Sequence, residues 1–299
     1  MISNQAKIIK KLLIASNNKS KYDADYINEK RKKYEKSLTA VNLLSRKLKI
    51  EWTFIEGVKV AWVSPPIKTE LTIIYIHGGG FVFGMSALHI AYAERLANIC
   101  KARVLLIDYS LSPEAKYPIA LNEIRKVWVS LIKDGLDPKK TAIVGDSAGA
   151  SLVMSATLKF RDDKIAQPSC LVLFSPSVDA TFSGKSYITN NNKDIILNLY
   201  IMDFFTDSYI GDFDKTDPFI SPMFADLHNL PSFLLQVGSD EVLLSECKQI
   251  VKYAKRDKVK ATLRIGKGMW HNWHLSANYM PESNQSIKKV AEYIISKTS

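Results

Sequence analysis

The feature that most limits what this chain can fold into is a repeated alternation of short apolar runs with helix-length segments. The runs are LTIIYI (71–76), RVLLID (103–108), TAIVG (141–145), CLVLFS (170–175), FLLQVG (233–238) and ATLRI (261–265), all rich in β-branched residues. Between most of them lie segments such as ALHIAYAERLANIC (87–100) and IALNEIRKVWVSLIKDG (119–135). Strand followed by helix, repeated, predicts an α/β fold, in which a mostly parallel sheet is covered by helices on both faces. FIEGVKVAWVSPP (54–66) alternates in polarity and predicts an earlier hairpin at the sheet edge. With 299 residues, 46% of them hydrophobic, the chain has enough material for one large core or two small domains, and because the alternation runs along most of it a single α/β domain over 1–299 is expected.

Two stretches break the alternation. Residues 1 to about 50 read as helical and basic, and residues from about 181 to 217 hold a polar turn region followed by an amphipathic helix near 194–209. The second is far longer than an αβ connection requires, and long insertions in compact domains often serve as lids or binding segments. Both are read as parts of one helical cap over the sheet.

The formal net charge of +11 raises the question of an anionic partner, and its distribution answers it. Residues 1–50 carry 13 Lys and Arg against 4 Asp and Glu, a local +9, so the body is nearly neutral and has no basic groove for nucleic acid. In the N-terminal stretch Ile8, Ile9, Leu12 and Leu13 recur at helical spacing beside Lys7, Lys10 and Lys11. The favoured reading packs the apolar side on the cap and leaves the lysines in water; the alternative lays the helix on an anionic membrane surface. Cys100, Cys170 and Cys247 are odd in number, widely spaced and without CxxC or histidine neighbours, which predicts buried free thiols and no metal site. IIKKLLIA lacks a signal-peptide core, and no apolar run approaches bilayer length, so a cytoplasmic protein is expected. A homo-oligomer is compatible with the sequence, which does not specify one.

The strongest chemical motif is GDSAG (145–149), set between the strand TAIV and the helix-like ASLVMSATLKF. In that context Ser147 occupies a sharp strand-to-helix turn, with glycines where a Cβ would collide, and its hydroxyl is presented at the C-terminal edge of the sheet. A serine hydroxyl needs a base, and the base needs an orienting acid, in the chain order serine, acid, histidine. Of His228, His271 and His274, which follow Ser147, His271 in GMWHNWHL comes soonest after the last strand and is the preferred base. For the acid, Asp240 stands directly after FLLQVGS at a strand end and is preferred to Asp179, which reads as an anchor for its own loop. Asp146 and Glu241, beside the chosen residues, are expected to make structural hydrogen bonds.

HGGGFVFG (77–84) follows the strand LTIIYI. Backbone amides can approach a developing oxyanion only where side chains do not intervene, so Gly79 and Gly80 are the expected donors, with the amide of Ala148 as a third. Gly78 is assigned to turn geometry. A phosphate-binding loop is the other use of such glycines, but neither GxGxxG nor GxxxxGK[ST] is present. Phe81, Phe83, Met223, Phe224, Trp270 and Trp273 lie near these motifs and are candidates to shape an acyl pocket.

HGGGF (77–81), DYSLSPEAKYPIALNE (108–123), GDSAGA (145–150), DPFISPMFADLHNLPSFLLQVGSDEVLL (217–244) and GMWHNW (268–273) together resemble the hormone-sensitive-lipase family of α/β-hydrolases, in its GDSAG branch. The resemblance runs from about residue 55 to the C-terminus. It implies a cofactor-free carboxylesterase acting on short- to medium-chain acyl esters, with Ser147, Asp240 and His271 as triad and a cap built from the N-terminal segment and the insertion after the sixth strand. It also implies that His77 supports the glycine loop. Ser110 stands where the family commonly has arginine, which predicts that Glu114 lacks its local ion-pair partner. Two other readings are a catalytically silent binding protein on the same fold, which should lack a triad member, and a lipase acting at a lipid surface.

Overall fold

The computed structural model describes residues 2–16, 22–44, 48–276 and 278–298. Within them the alternation resolves into helices α1 (Asn4–Ser16) and α2 (Ala24–Leu44), a hairpin of β1 (Lys49–Ile55) and β2 (Val58–Ser64), and then the repeating units. These are β3 (Thr72–Ile76), α3 (Ala87–Cys100), β4 (Arg103–Asp108), α4 (Ile119–Lys133), β5 (Thr141–Asp146), α5 (Ala148–Asp162) and β6 (Cys170–Phe174). After an insertion holding α6 (Ser186–Thr189) and α7 (Leu199–Ile210) come β7 (Ser232–Gly238), α8 (Leu244–Arg256), β8 (Ala261–Gly266) and α9 (Pro281–Thr298). The strands form one sheet in the order β1-β2-β4-β3-β5-β6-β7-β8. The hairpin lies at one edge and is antiparallel, and every pair from β4 to β8 is parallel.

Every residue of β3 and β6 is buried, and successive side chains enter opposite cores. Ile74, Ile76, Leu105, Ile107, Ile143, Leu171 and Leu173 pack on one side with Trp128 of α4 and Phe160 of α5. Ile73, Tyr75, Val104, Leu106, Val144, Val172 and Phe174 pack on the other with α3 and α9. Burial on both faces is why these strands read as continuous apolar runs. Each such side chain contributes roughly 1.5–3 kcal/mol on leaving water. The three cysteines are buried and unpaired, as expected, and burial pushes the Cys100 and Cys170 thiols up to about 12.

The insertion helix begins at Leu199, later than the expected 194. Asp194 accepts the amides of Ile196 and Leu197 at 2.9 and 3.1 Å, which holds the chain in a turn, and Asn198 then caps the helix by accepting from Ile201 N at 2.8 Å. Of the N-terminal stretch, residues 17–21 and 45–47 lie outside the described residues. In α1, Ala6 is buried and Ile9 and Leu13 pack on Met269, Trp270 and Trp273, while Ile8, Leu12, Lys7 and Lys11 face outward. Tyr22, just before α2, meets Phe204 and Phe205 of α7 at ring distances of 5.5 and 5.7 Å, so the N-terminal stretch and the insertion touch. Among the described residues, no helix is long and apolar enough to cross a membrane.

Glu114 lacks a local ion-pair partner, as expected, but a distant residue replaces it. Ser110 turns to Glu123, donating from N and Oγ at 2.7 and 2.6 Å, and Glu114 pairs instead with Arg31 of α2 at 2.8 and 3.0 Å.

Candidate active site

Ser147 sits between β5 and α5 at φ 51° and ψ −125°, a conformation that costs a non-glycine residue of order 1–3 kcal/mol. Its amide is held by the Phe174 carbonyl at 2.7 Å. The flanking glycines make the turn sterically feasible. A Cβ on Gly145 would lie 2.7 Å from the backbone of Gly149, and one on Gly149 would strike the carbonyl oxygens of Ile76 and His77. The strained turn points Oγ at His271, whose Nε2 lies 2.8 Å away.

His271 is buried, and its Nδ1 lies 2.9 Å from Oε2 of Glu241, a carboxylate with no solvent exposure. The other oxygen of Glu241 accepts from Ser175 Oγ at 2.7 Å and from the Gly238 amide. Burial favours the neutral imidazole, but the hydrogen bond and charge of Glu241, with the charges of Asp194 and Asp146, outweigh it and leave the His271 pKa raised above its ordinary value.

The acid partner is therefore Glu241 and not the expected Asp240. After β7 the chain turns, and the Asp240 amide donates to Met269 O at 3.1 Å, which directs its side chain away from the histidine. There it pairs with Lys10 of α1 at 2.8 Å. Glu241, one residue on and one methylene longer, folds back beneath the strand end. Asp179 does anchor its own loop, accepting from Thr181 and Ser183 through both oxygens. His228 is exposed and paired with Asp226, and His274 is buried with its ring stacked on Phe174 at 3.9 Å, so neither meets Ser147. Asp146 makes the structural bonds expected of it, accepting from Tyr75 Oη at 2.8 Å, Gly78 N at 3.0 Å and Asn272 Nδ2 at 3.0 Å.

The glycine loop lies beside the serine. Gly79 adopts φ 114° and Gly80 φ 61°, and the Gly79 carbonyl accepts from Val82 N and Phe83 N at 3.1 and 2.8 Å, closing a tight turn. Among the described residues, the amides of Gly79, Gly80 and Ala148 meet no protein acceptor. Gly78, expected to serve turn geometry, is instead required by packing, because a Cβ there would collide with the Asp146 carboxylate. His77 is fully buried and stacked on Tyr109 at 4.4 Å, with Nδ1 2.8 Å from Gly78 O. Burial and the nearby His89 push its pKa down to about 4, so the ring is neutral near pH 7 and Nδ1–H donates to the loop carbonyl.

A cavity of about 300 Å³ opens onto Ser147, His271, Gly79 and Gly80. Phe83 and Trp270 line it as expected. The other pocket candidates do not: Phe81 stacks on Tyr209 at 3.8 Å, Met223 is buried in the core, Phe224 is exposed, and Trp273 packs beneath α1. Much of the remaining wall comes from Tyr22, Lys30 and Tyr34 of the N-terminal stretch and from Ile196, Leu197 and Phe205 of the insertion, and Leu88 and His89 of α3 add to it. These segments have no motif that announces them; only the break in strand–helix alternation signalled them. Among the described residues, Asp226, His228 and Asp257 are the one group at metal-ligand spacing, and Arg256 and the Leu227 amide already engage Asp257.

A strained serine hydrogen-bonded to a carboxylate-oriented histidine, on the C-terminal edge of a parallel sheet, defines a hydrolase of the α/β type. The model for the alpha/beta hydrolase fold matches residues 73–275, and the chain belongs to that family. It is 33% identical to an esterase from Acinetobacter venetianus, over 81% of this chain and 80% of the relative. It is 29% identical to an acetyl-hydrolase from Streptomyces hygroscopicus, over 79% of each. Among solved structures, an esterase of the bacterial hormone-sensitive lipase family superposes with a TM-score of 0.92 at 28% identity, covering 100% of both chains. The esterase EstE5, soaked with p-nitrophenyl butyrate, superposes with a TM-score of 0.91 at 29% identity, covering 99% of both.

Proposed function

We propose that this carboxylic ester hydrolase is a serine carboxylesterase for short- to medium-chain acyl esters, working through Ser147, His271 and Glu241. The observation that carries the reading is the unbroken hydrogen-bond chain from Ser147 Oγ to His271 to Glu241, at 2.8 and 2.9 Å. In this reading Ser147 Oγ attacks the ester carbonyl while His271 Nε2 takes its proton, and Glu241 fixes the tautomer and stabilises the imidazolium that forms. The negative charge built on the carbonyl oxygen meets the free amides of Gly79, Gly80 and Ala148. His271 then protonates the leaving alcohol, and a water activated by the same nitrogen releases the acid from the acyl-enzyme. Every step is a proton transfer or an acyl transfer, and neither metal nor organic cofactor takes part.

The size of the cavity and its partly aromatic wall favour a small acyl ester. The acetyl-hydrolase relative and the p-nitrophenyl butyrate soak of the superposing esterase point the same way. In this reading the N-terminal stretch and the insertion together form the cap that shapes the cavity. A p-nitrophenyl ester series from acetate to hexadecanoate tests the assignment. The highest kcat/KM is expected between acetate and octanoate, and a maximum at hexadecanoate would refute the chain-length assignment.

A further inference from the structure

The basic run KRKK (30–33) in α2 divides by direction. Lys32 and Lys33 are exposed, Lys30 lines the cavity, and Arg31 turns onto the body of the protein. Arg31 there donates to three acceptors on two loops: Nε to Val82 O at 2.9 Å, Nη2 to Ser112 O at 2.6 Å, and both terminal nitrogens to Glu114 at 2.8 and 3.0 Å. Val82 is in the glycine loop, whose turn closes through Val82 N and Phe83 N on Gly79 O. The Ser112 amide in turn donates to Phe81 O at 2.9 Å, so the two loops are also tied directly.

We propose that Arg31 is a positioning residue for ester hydrolysis, a clamp from the cap that fixes the glycine loop so that the Gly79 and Gly80 amides stay aimed at the oxyanion. The inference rests on the function proposed above. Arg31 of α2 also gives Glu114 the ion-pair partner that Ser110, turned to Glu123, does not supply. The two carbonyl contacts matter most. The Arg31 side chain is 18% exposed whereas Glu114 is 65% exposed, and an ion pair open to water contributes little. The planar fork presents a separate nitrogen to each carbonyl in a fixed geometry, which the single ammonium nitrogen of lysine does not reproduce.

The test compares wild type, Arg31→Ala, Arg31→Lys and Glu114→Gln. Arg31→Ala is expected to lower kcat on p-nitrophenyl butyrate about tenfold, a fraction of the roughly 10²–10³ that removing a whole oxyanion donor costs, with KM changed less than about twofold. Arg31→Lys should resemble Arg31→Ala, and Glu114→Gln should stay within about twofold of wild type because both carbonyl contacts remain. Butylboronic acid, which adds to the serine as a tetrahedral anion, should lose affinity by the same factor as kcat/KM. Hydrogen exchange gives an independent readout: the Val82 and Phe83 amides should exchange faster in Arg31→Ala while those of β3 and β5 keep their protection. Unchanged exchange at Val82 and Phe83, or kcat within about twofold of wild type in Arg31→Ala, overturns the proposal. If the wild type has no Ser147-dependent hydrolysis, the proposed function fails, and the exchange measurement still decides the clamp.

Discussion

Between Gly238 and Glu241 the chain makes a turn that gives two adjacent carboxylates opposite environments. Asp240 reaches outward to Lys10, and both groups of that pair are 23% exposed, whereas Glu241 is sealed between Ser175, the Gly238 amide and His271. Glu241→Gln should leave the geometry in place yet lower kcat roughly 10³–10⁴-fold, because the amide cannot stabilise the imidazolium. Asp240→Asn should change kcat by less than about twofold, since a partly exposed ion pair contributes little. Steady-state kinetics on p-nitrophenyl butyrate separates the two. The pH profile follows from His271, whose pKa is raised. Only the neutral imidazole can take the Ser147 proton, so kcat/KM should rise with pH to a plateau, with a midpoint above the ordinary histidine value of about 6.5. Glu241→Gln removes the main group that raises this pKa and should move the midpoint downward. The sequence could not separate the two acids, because both follow the same strand end and the outcome depends on one extra methylene and one more residue of turn. Ser147 and His271 were legible because glycine spacing and chain order leave few alternatives.

At the scale of elements, the glycine loop is held from three sides: by Asp146 and His77 beneath it, by Arg31 from α2, and by Phe205 of α7 above Gly80. A Cβ on Gly80 would collide with the Phe205 ring, so α7 packs directly on the glycine loop. Gly80→Ala should therefore lower kcat about 10²-fold, the scale of one lost donor. Phe205→Ala in the same chain should recover part of that loss, since the remaining penalty is the positive φ, about 1–2 kcal/mol for alanine. A fully additive double mutant would contradict the contact. The strands were legible for a plain physical reason: burial on both faces removes polar residues from β3 and β6, and length then separates strand from helix. The insertion between β6 and β7 was legible only as an interruption of the alternation. Its helix starts at Leu199 and not at 194 because Asp194 and Asn198 spend their side chains on backbone amides, a local competition that periodicity does not register.

For the whole molecule, one sheet with two apolar faces provides the rigid edge on which serine, acid and histidine come from three separate strand ends, β5, β7 and β8. Trp128 of α4 is almost fully buried, stacks on Phe160 of α5 at 5.4 Å and donates to Ala166 O at 2.9 Å. Trp128→Ala should cost about 3–5 kcal/mol in urea unfolding while leaving KM unchanged in the folded fraction, which would separate the scaffold from the site. The excess positive charge lies at the N-terminal stretch, part of it committed through Lys10 to Asp240 in the turn after β7 and through Arg31 to Glu114 and the glycine loop. The central claim is that Ser147 performs the hydrolysis, and the direct measurement is kcat for p-nitrophenyl butyrate in wild type and Ser147→Ala. Wild type should turn over the ester, and the alanine variant should fall by roughly 10⁴-fold or more. Equal rates in the two proteins would contradict the account.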